Sequence, residues 1–105
     1  MKNTFLVLDT ETADLSGNVY DIGYVICNKR GEIVCERNWL VEETFTNAKV
    51  MMGAFYAGKL FTHYAGMLQR GDIKLTPWAE IVGKLRADIL THGVTVLTAY
   101  NAGFD

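Results

Sequence analysis

The sequence predicts a single α/β domain built on a mixed sheet, with strands 1–3 antiparallel and a fourth strand parallel to the first. Three observations carry this reading. The first 41 residues hold three runs rich in apolar and β-branched residues, two stretches of helical periodicity follow between 51 and 93, and a last short apolar run, Val94 to Thr98, comes after them. A strand that returns through a helix lies parallel to its partner and crosses over with right-handed sense, so the late strand can lie beside the first. At 105 residues, half of them hydrophobic, the chain fits one domain with a modest core, and no repeat, low-complexity tract or linker divides it.

Taken in order, Thr4 to Asp9 forms the first strand. Val19 to Asn28 and Glu32 to Val41 pair as a hairpin around the Lys29-Arg30-Gly31-Glu32 turn. Met51, Met52, Phe55, Tyr56, Leu60, Tyr64, Met67 and Leu68 recur at helical spacing, and Gly53, Gly58 and Gly66 predict a broken or bent helix ending near Gly71. Such a stripe packs into a core far more often than it stacks on a nucleobase. Thr76 is then the expected N-cap and Pro77 the first residue of a second helix. Its buried stripe is Trp78, Ile81, Val82, Leu85 and Ile89, and it closes at Gly93 before the strand Val94 to Thr98.

Ten basic against twelve acidic residues leave a net charge of −2, which supplies no global positive field to recruit nucleic acid. Cys27 and Cys35 flank the hairpin turn. With no signal peptide and no continuous apolar span of membrane length, they read as reduced thiols of a cytoplasmic protein, and the pair alone is too few ligands for zinc. His63 falls inside the first helix. His92 lies near the end of the second, where an imidazolium suits the helix dipole, and neither is placed as a catalytic base.

The chemistry concentrates where the first strand ends, in Leu6-Val7-Leu8-Asp9-Thr10-Glu11-Thr12. On an extended strand residues i and i+2 share a face, so Asp9 and Glu11 project together and Thr10 points away. Two acids so placed repel unless a cation lies between them, and hard divalent ions such as Mg2+ or Mn2+ prefer carboxylate oxygens. An isolated Asp-x-Glu is usually a solvated strand end. Here, however, a second motif, Tyr100-Asn101-Ala102-Gly103-Phe104-Asp105, follows the late strand, and Asp21-Ile22-Gly23-Tyr24-Val25 lies in the second strand.

Together these three segments resemble motifs I and II and the second strand of the DEDD-type 3′-to-5′ exonucleases, proofreading-type nucleases of RNase H-like, three-layer fold. The resemblance implies hydrolysis of phosphodiester bonds at nucleic-acid 3′ ends by two divalent metal ions, Mg2+ or Mn2+, about 3.5 to 4 Å apart, with release of nucleoside 5′-monophosphates. By similarity Asp9 bridges the two ions, Glu11 binds the nucleophile-side ion and Asp105 serves the other. Thr10 and Thr12 lie near the terminal nucleotide, with backbone groups from Thr10 to Ala13 on its sugar or phosphate, and Asn101 orders the loop before Asp105 or touches substrate. Phe104 packs so as to aim Asp105. The implied partner is a 3′ end, DNA before RNA, with no membrane.

The family pattern also includes a third motif, with a His or Tyr base a few residues ahead of a fourth acid, and this sequence does not contain it. The resemblance therefore implies part of a longer exonuclease. Two other readings stand beside it: an inactive exonuclease-like module that binds a protein partner through its open sheet edge, and a split enzyme whose site and sheet are completed by a second polypeptide or by self-association.

Overall fold

A computed structural model describes residues 3–12, 18–47, 50–51 and 57–99. Its elements run β1 (Thr4–Thr12), β2 (Val19–Asn28), β3 (Ile33–Val41), α1 (Glu42–Phe45), α2 (Ala57–Arg70), β4 (Leu75–Thr76), α3 (Trp78–His92) and β5 (Val96–Ala99). The sheet order is β4-β3-β2-β1-β5. β1 pairs with β2 and β2 with β3 in antiparallel sense, while β5 runs parallel to β1 and β4 parallel to β3. The mixed sheet expected from the sequence is present, with a two-residue strand, β4, added at its far edge.

Register decides what each face carries. Asp9 lies opposite Gly23 and Glu11 opposite Asp21, and Gly23 and Asp21 in turn face Asn38 and Leu40 of β3. These residues share one face. Leu6, Leu8 and Thr10, opposite Ile26, Tyr24 and Ile22, occupy the other. Two irregularities interrupt the pleat. Glu11 pairs with Asp21 but Thr12 with Val19, which leaves Tyr20 as an extra residue on β2; Cys27 pairs with Ile33 after Ile26 pairs with Cys35, which leaves Val34 extra on β3.

Helices cover both faces. On the Asp9 face, Tyr64 of α2 packs with Tyr20, Leu40, Phe45, Met51 and Ile73, its ring edge-on to those of Tyr20 and Phe45 at 5.9 and 5.6 Å. On the other face α3 brings Ile81, Leu85 and Ile89 against Leu6, Ile22, Tyr24 and Ile26. Tyr24, Leu6, Ile26, Leu40 and Ile81 are the largest fully buried side chains, each worth about 1.5–3 kcal/mol of burial. The central strands therefore anchor the fold, and the acids of β1 ride on them.

Several elements depart from the sequence reading. β1 continues to Thr12, so Asp9 and Glu11 stand within a paired strand and not at its end. α2 runs unbroken through Gly58 and Gly66, because tertiary packing of Tyr64, Met67 and Leu68 outweighs the glycine penalty of about 1 kcal/mol each. Met52, Gly53, Phe55 and Tyr56 lie outside the described residues. Thr76 is in β4 and Pro77 is the N-cap of α3, with extended backbone and no side-chain cap of its own. The Trp78 N–H instead donates to the Glu43 carboxylate of α1, at 2.9 and 3.2 Å. That capping group lies 35 residues away in sequence, and Trp78 beside it stays 44% exposed and outside the core stripe. Gly93 closes α3 in the left-handed region expected of a C-cap glycine, at φ 60°. Cys27 and Cys35 are free thiols. Among the described residues no helix is long and apolar enough to cross a membrane.

Candidate functional site

Asp9 and Glu11 open into a cleft of about 840 Å³ on the α2 side of the sheet. Asp9, Glu11, Asp21 and Glu36 contribute four carboxylates, and His63 and Tyr64 of α2 form the opposite wall. Both oxygens of Asp21 are committed: Asn38 Nδ2 donates to Oδ1 at 2.7 Å, and the Tyr64 hydroxyl donates to Oδ2 at 2.7 Å. Asp21 thus ties α2 to the sheet, while Asp9 and Glu11 remain exposed. Burial, then the bond to Asp21, pushes the Tyr64 phenol well above its ordinary value, so it donates and does not ionise. Tyr20 is likewise raised, first by burial and then by the negative charge of Glu11.

Gly23, directly opposite Asp9, keeps the cleft open at its floor. A Cβ there would stand 3.1 Å from Asn38 Nδ2 and 3.2 Å from the Arg37 carbonyl oxygen. The glycine therefore permits the close approach of β3 that brings Asn38 onto Asp21.

Of the six site residues expected from the sequence, Asp9 and Glu11 come together as foreseen. Thr10 is buried on the opposite face, so any group it offers to the cleft belongs to its backbone, and Thr12 is half-buried at the bulge. Asn101 and Asp105 lie outside the described residues, as do Ala13 and Phe104. In β5, Thr98 pairs with Val7 and Ala99 with Leu8, so the strand ends beside the residue that precedes Asp9.

The donor set suits hard divalent cations in part. Asp9 and Glu11 offer carboxylate oxygens from one face, which is Mg2+ and Mn2+ chemistry. Asp21, the nearest further acid on that face, is held by two hydrogen bonds instead. His63, read from the sequence as a helix residue not placed as a catalytic base, lines this cleft, and its ring centroid lies 5.8 Å from that of Tyr64. Its position beside Tyr64, a core residue of the same helix, was the available signal; facing the acids depends on how α2 docks, which periodicity does not encode.

A second cleft of about 470 Å³ lies along β3 and β4 and mixes Lys74, Lys84 and Arg37 with Glu36, Asp72 and Glu80. Its charges balance, so it lacks the one-sided field of the first. No family model matches the chain, and no curated protein or solved structure matches it.

Proposed function

We propose that the chain is an exonuclease-type domain with an RNase H-like arrangement of strands, acting on nucleic-acid 3′ ends. One observation carries the reading. Two carboxylates project from β1 into an acidic cleft, and the neighbouring parallel strand β5 ends with Ala99 paired to Leu8, the residue that precedes Asp9. Asp9, Glu11 and Asp105 would hold two divalent ions, which when bound supply an activated water and charge stabilisation for phosphodiester hydrolysis. The protein's own part is to fix the acids on a rigid paired strand, to keep Asp21 and α2 in place through Tyr64, and to leave space over Gly23.

The test is 3′-end degradation of a labelled single-stranded DNA oligonucleotide by the chain, with Mg2+ or Mn2+ and with EDTA, beside Asp9→Ala. Metal-dependent loss of terminal nucleotides that vanishes in Asp9→Ala is the expected result. A folded sample that degrades no end in either metal overturns the reading for this chain. A second reading, an inactive module docking a protein partner, draws on the edge strand β5, whose Leu97 is 67% exposed. Tight association without any metal requirement distinguishes it.

A further inference from the structure

On the face of the sheet turned away from the acidic cleft, α3 and β3 bring together donors of a different chemistry. Asp88 and His92 stand one turn apart on α3 and so share a side of the helix. Cys35 of β3 meets them there. Its sulfur, a carboxylate oxygen of Asp88 and an imidazole nitrogen of His92 all lie within 4.8 Å of one another, with Cys35 and Asp88 buried and His92 half-buried.

We propose that Cys35, Asp88 and His92 form a binding site for a borderline-soft divalent ion of the Zn2+ type, three protein ligands with a fourth position open to water. Thiolate, imidazole and carboxylate are the ligands zinc takes, at about 2.0–2.3 Å, which spaces tetrahedral donor atoms roughly 3.3–3.6 Å apart. The three atoms therefore close on an ion by shifts of about 1 Å, within reach of side-chain rotation. Mg2+ and Ca2+ take oxygen ligands in larger number, so this site and the Asp9 face select different metals.

The charge balance explains how the site stands without an ion. Arg37 Nε donates to Asp88 Oδ2 at 3.0 Å and Nη2 to Oδ1 at 3.3 Å, while the Tyr24 hydroxyl donates to Oδ2 at 2.6 Å. The guanidinium thus supplies the positive charge that the buried carboxylate needs. When Zn2+ binds, the Cys35 thiol releases its proton to solvent, and the thiolate and the carboxylate together offset the two charges of the ion. Arg37 is then surplus. Its side chain is 35% exposed and swings into solvent, while Tyr24 keeps its bond and orients the carboxylate from outside the metal shell. The ion and the guanidinium are alternative partners of Asp88. This inference is independent of the exonuclease reading.

The test is a titration of the reduced, chelator-stripped chain with Co2+, a spectroscopic stand-in for zinc. An intense thiolate-to-cobalt charge-transfer band that saturates at one ion per chain and is bleached by one equivalent of Zn2+ is expected. Cys35→Ser abolishes the band, His92→Gln weakens Co2+ binding at least about tenfold, and Cys27→Ser leaves the titration unchanged. Circular dichroism checks that each variant is folded; if Cys35→Ser is not, His92→Gln, on the half-buried side of the cluster, decides. No charge-transfer band at a large excess of Co2+, a band that survives Cys35→Ser, or Co2+ binding indifferent to His92→Gln overturns the proposal.

Discussion

Replacing Arg37 with methionine keeps most of the side chain's length and removes only the cation that faces Asp88. That carboxylate is 4% exposed and is held at about 2, well below its ordinary 3.8, chiefly by its bonds from Arg37 and against the opposing effect of burial. A fall of this size corresponds to about 2–3 kcal/mol favouring the folded, ionised form. Because Asp88 is more acidic folded than unfolded, this contribution is complete above about pH 4 and is lost as pH falls from there through about 2. In Arg37→Met the buried carboxylate loses its guanidinium and keeps the Tyr24 hydroxyl at 2.6 Å. Breaking a buried ion pair from one side costs about 3–5 kcal/mol, and the partial exposure of Arg37 reduces this to about 2–4 kcal/mol at pH 7. For a domain of this size the melting temperature falls on the order of 10–25 °C. The loss must shrink as pH is lowered from 7 toward 4, since Asp88 in the variant sits in a buried site without its cation and takes up a proton readily. Urea unfolding in chelator-treated buffer at several pH values, followed by circular dichroism and by the fluorescence of Trp39, whose ring lies 5.7 Å from Tyr24, measures both effects. A loss below about 0.5 kcal/mol at pH 7, or one that does not change with pH, refutes the assignment of Arg37 as the counter-charge of a buried acid.

Two further substitutions address the struts around the acidic cleft. Tyr64→Phe removes the hydroxyl that donates to Asp21 and should cost about 1–2 kcal/mol in chemical denaturation, with Asp21 partly compensated by solvent; an unchanged midpoint would mean that the α2 contact is apolar only. Glu43→Ala deletes the distant carboxylate that caps α3 at the Trp78 N–H and should lower stability by about 0.5–1 kcal/mol. Hydrogen exchange should rise in the first turn of α3 and leave β1 untouched, whereas uniform change across the chain would contradict a local cap.

Local patterns were the legible part of this chain. Alternation in β2 wrote Ile22, Tyr24 and Ile26 onto one buried face, the turn around Gly31 announced the hairpin, and Gly93 marked the end of α3. The spacing of Asp9 and Glu11 correctly put both acids on one side of β1. What escaped were features made by contact between distant segments. Glu43 replaces the side-chain cap expected from Thr76, and Arg37 meets Asp88 from 51 residues away. His63 enters the acidic cleft, and Cys35 finds Asp88 and His92, only because α2 and α3 dock on opposite faces of the sheet. The facing of Thr10, by contrast, was legible from strand periodicity. Its place in the motif suggested a substrate contact, and the two-residue period that unites Asp9 with Glu11 sends its side chain into the α3 face.

The sheet separates two kinds of polar chemistry that would interfere if they shared a face. On the Asp9 side the exposed carboxylates of Asp9 and Glu11 lie toward solvent in an acidic cleft, where water screens their charge. On the α3 side a single carboxylate is buried, and burial demands that it be neutralised at all times, by Arg37 or by an ion. Arg37 and Asn38 are consecutive on β3 and face opposite ways, one bound to Asp88 and the other to Asp21. The Arg37 carbonyl also lies 3.2 Å from where a Cβ of residue 23 would stand. Movement of the β3 backbone at this point therefore acts on both faces at once: a displacement that frees Arg37 from Asp88 also shifts the donor that fixes Asp21 beside Glu11.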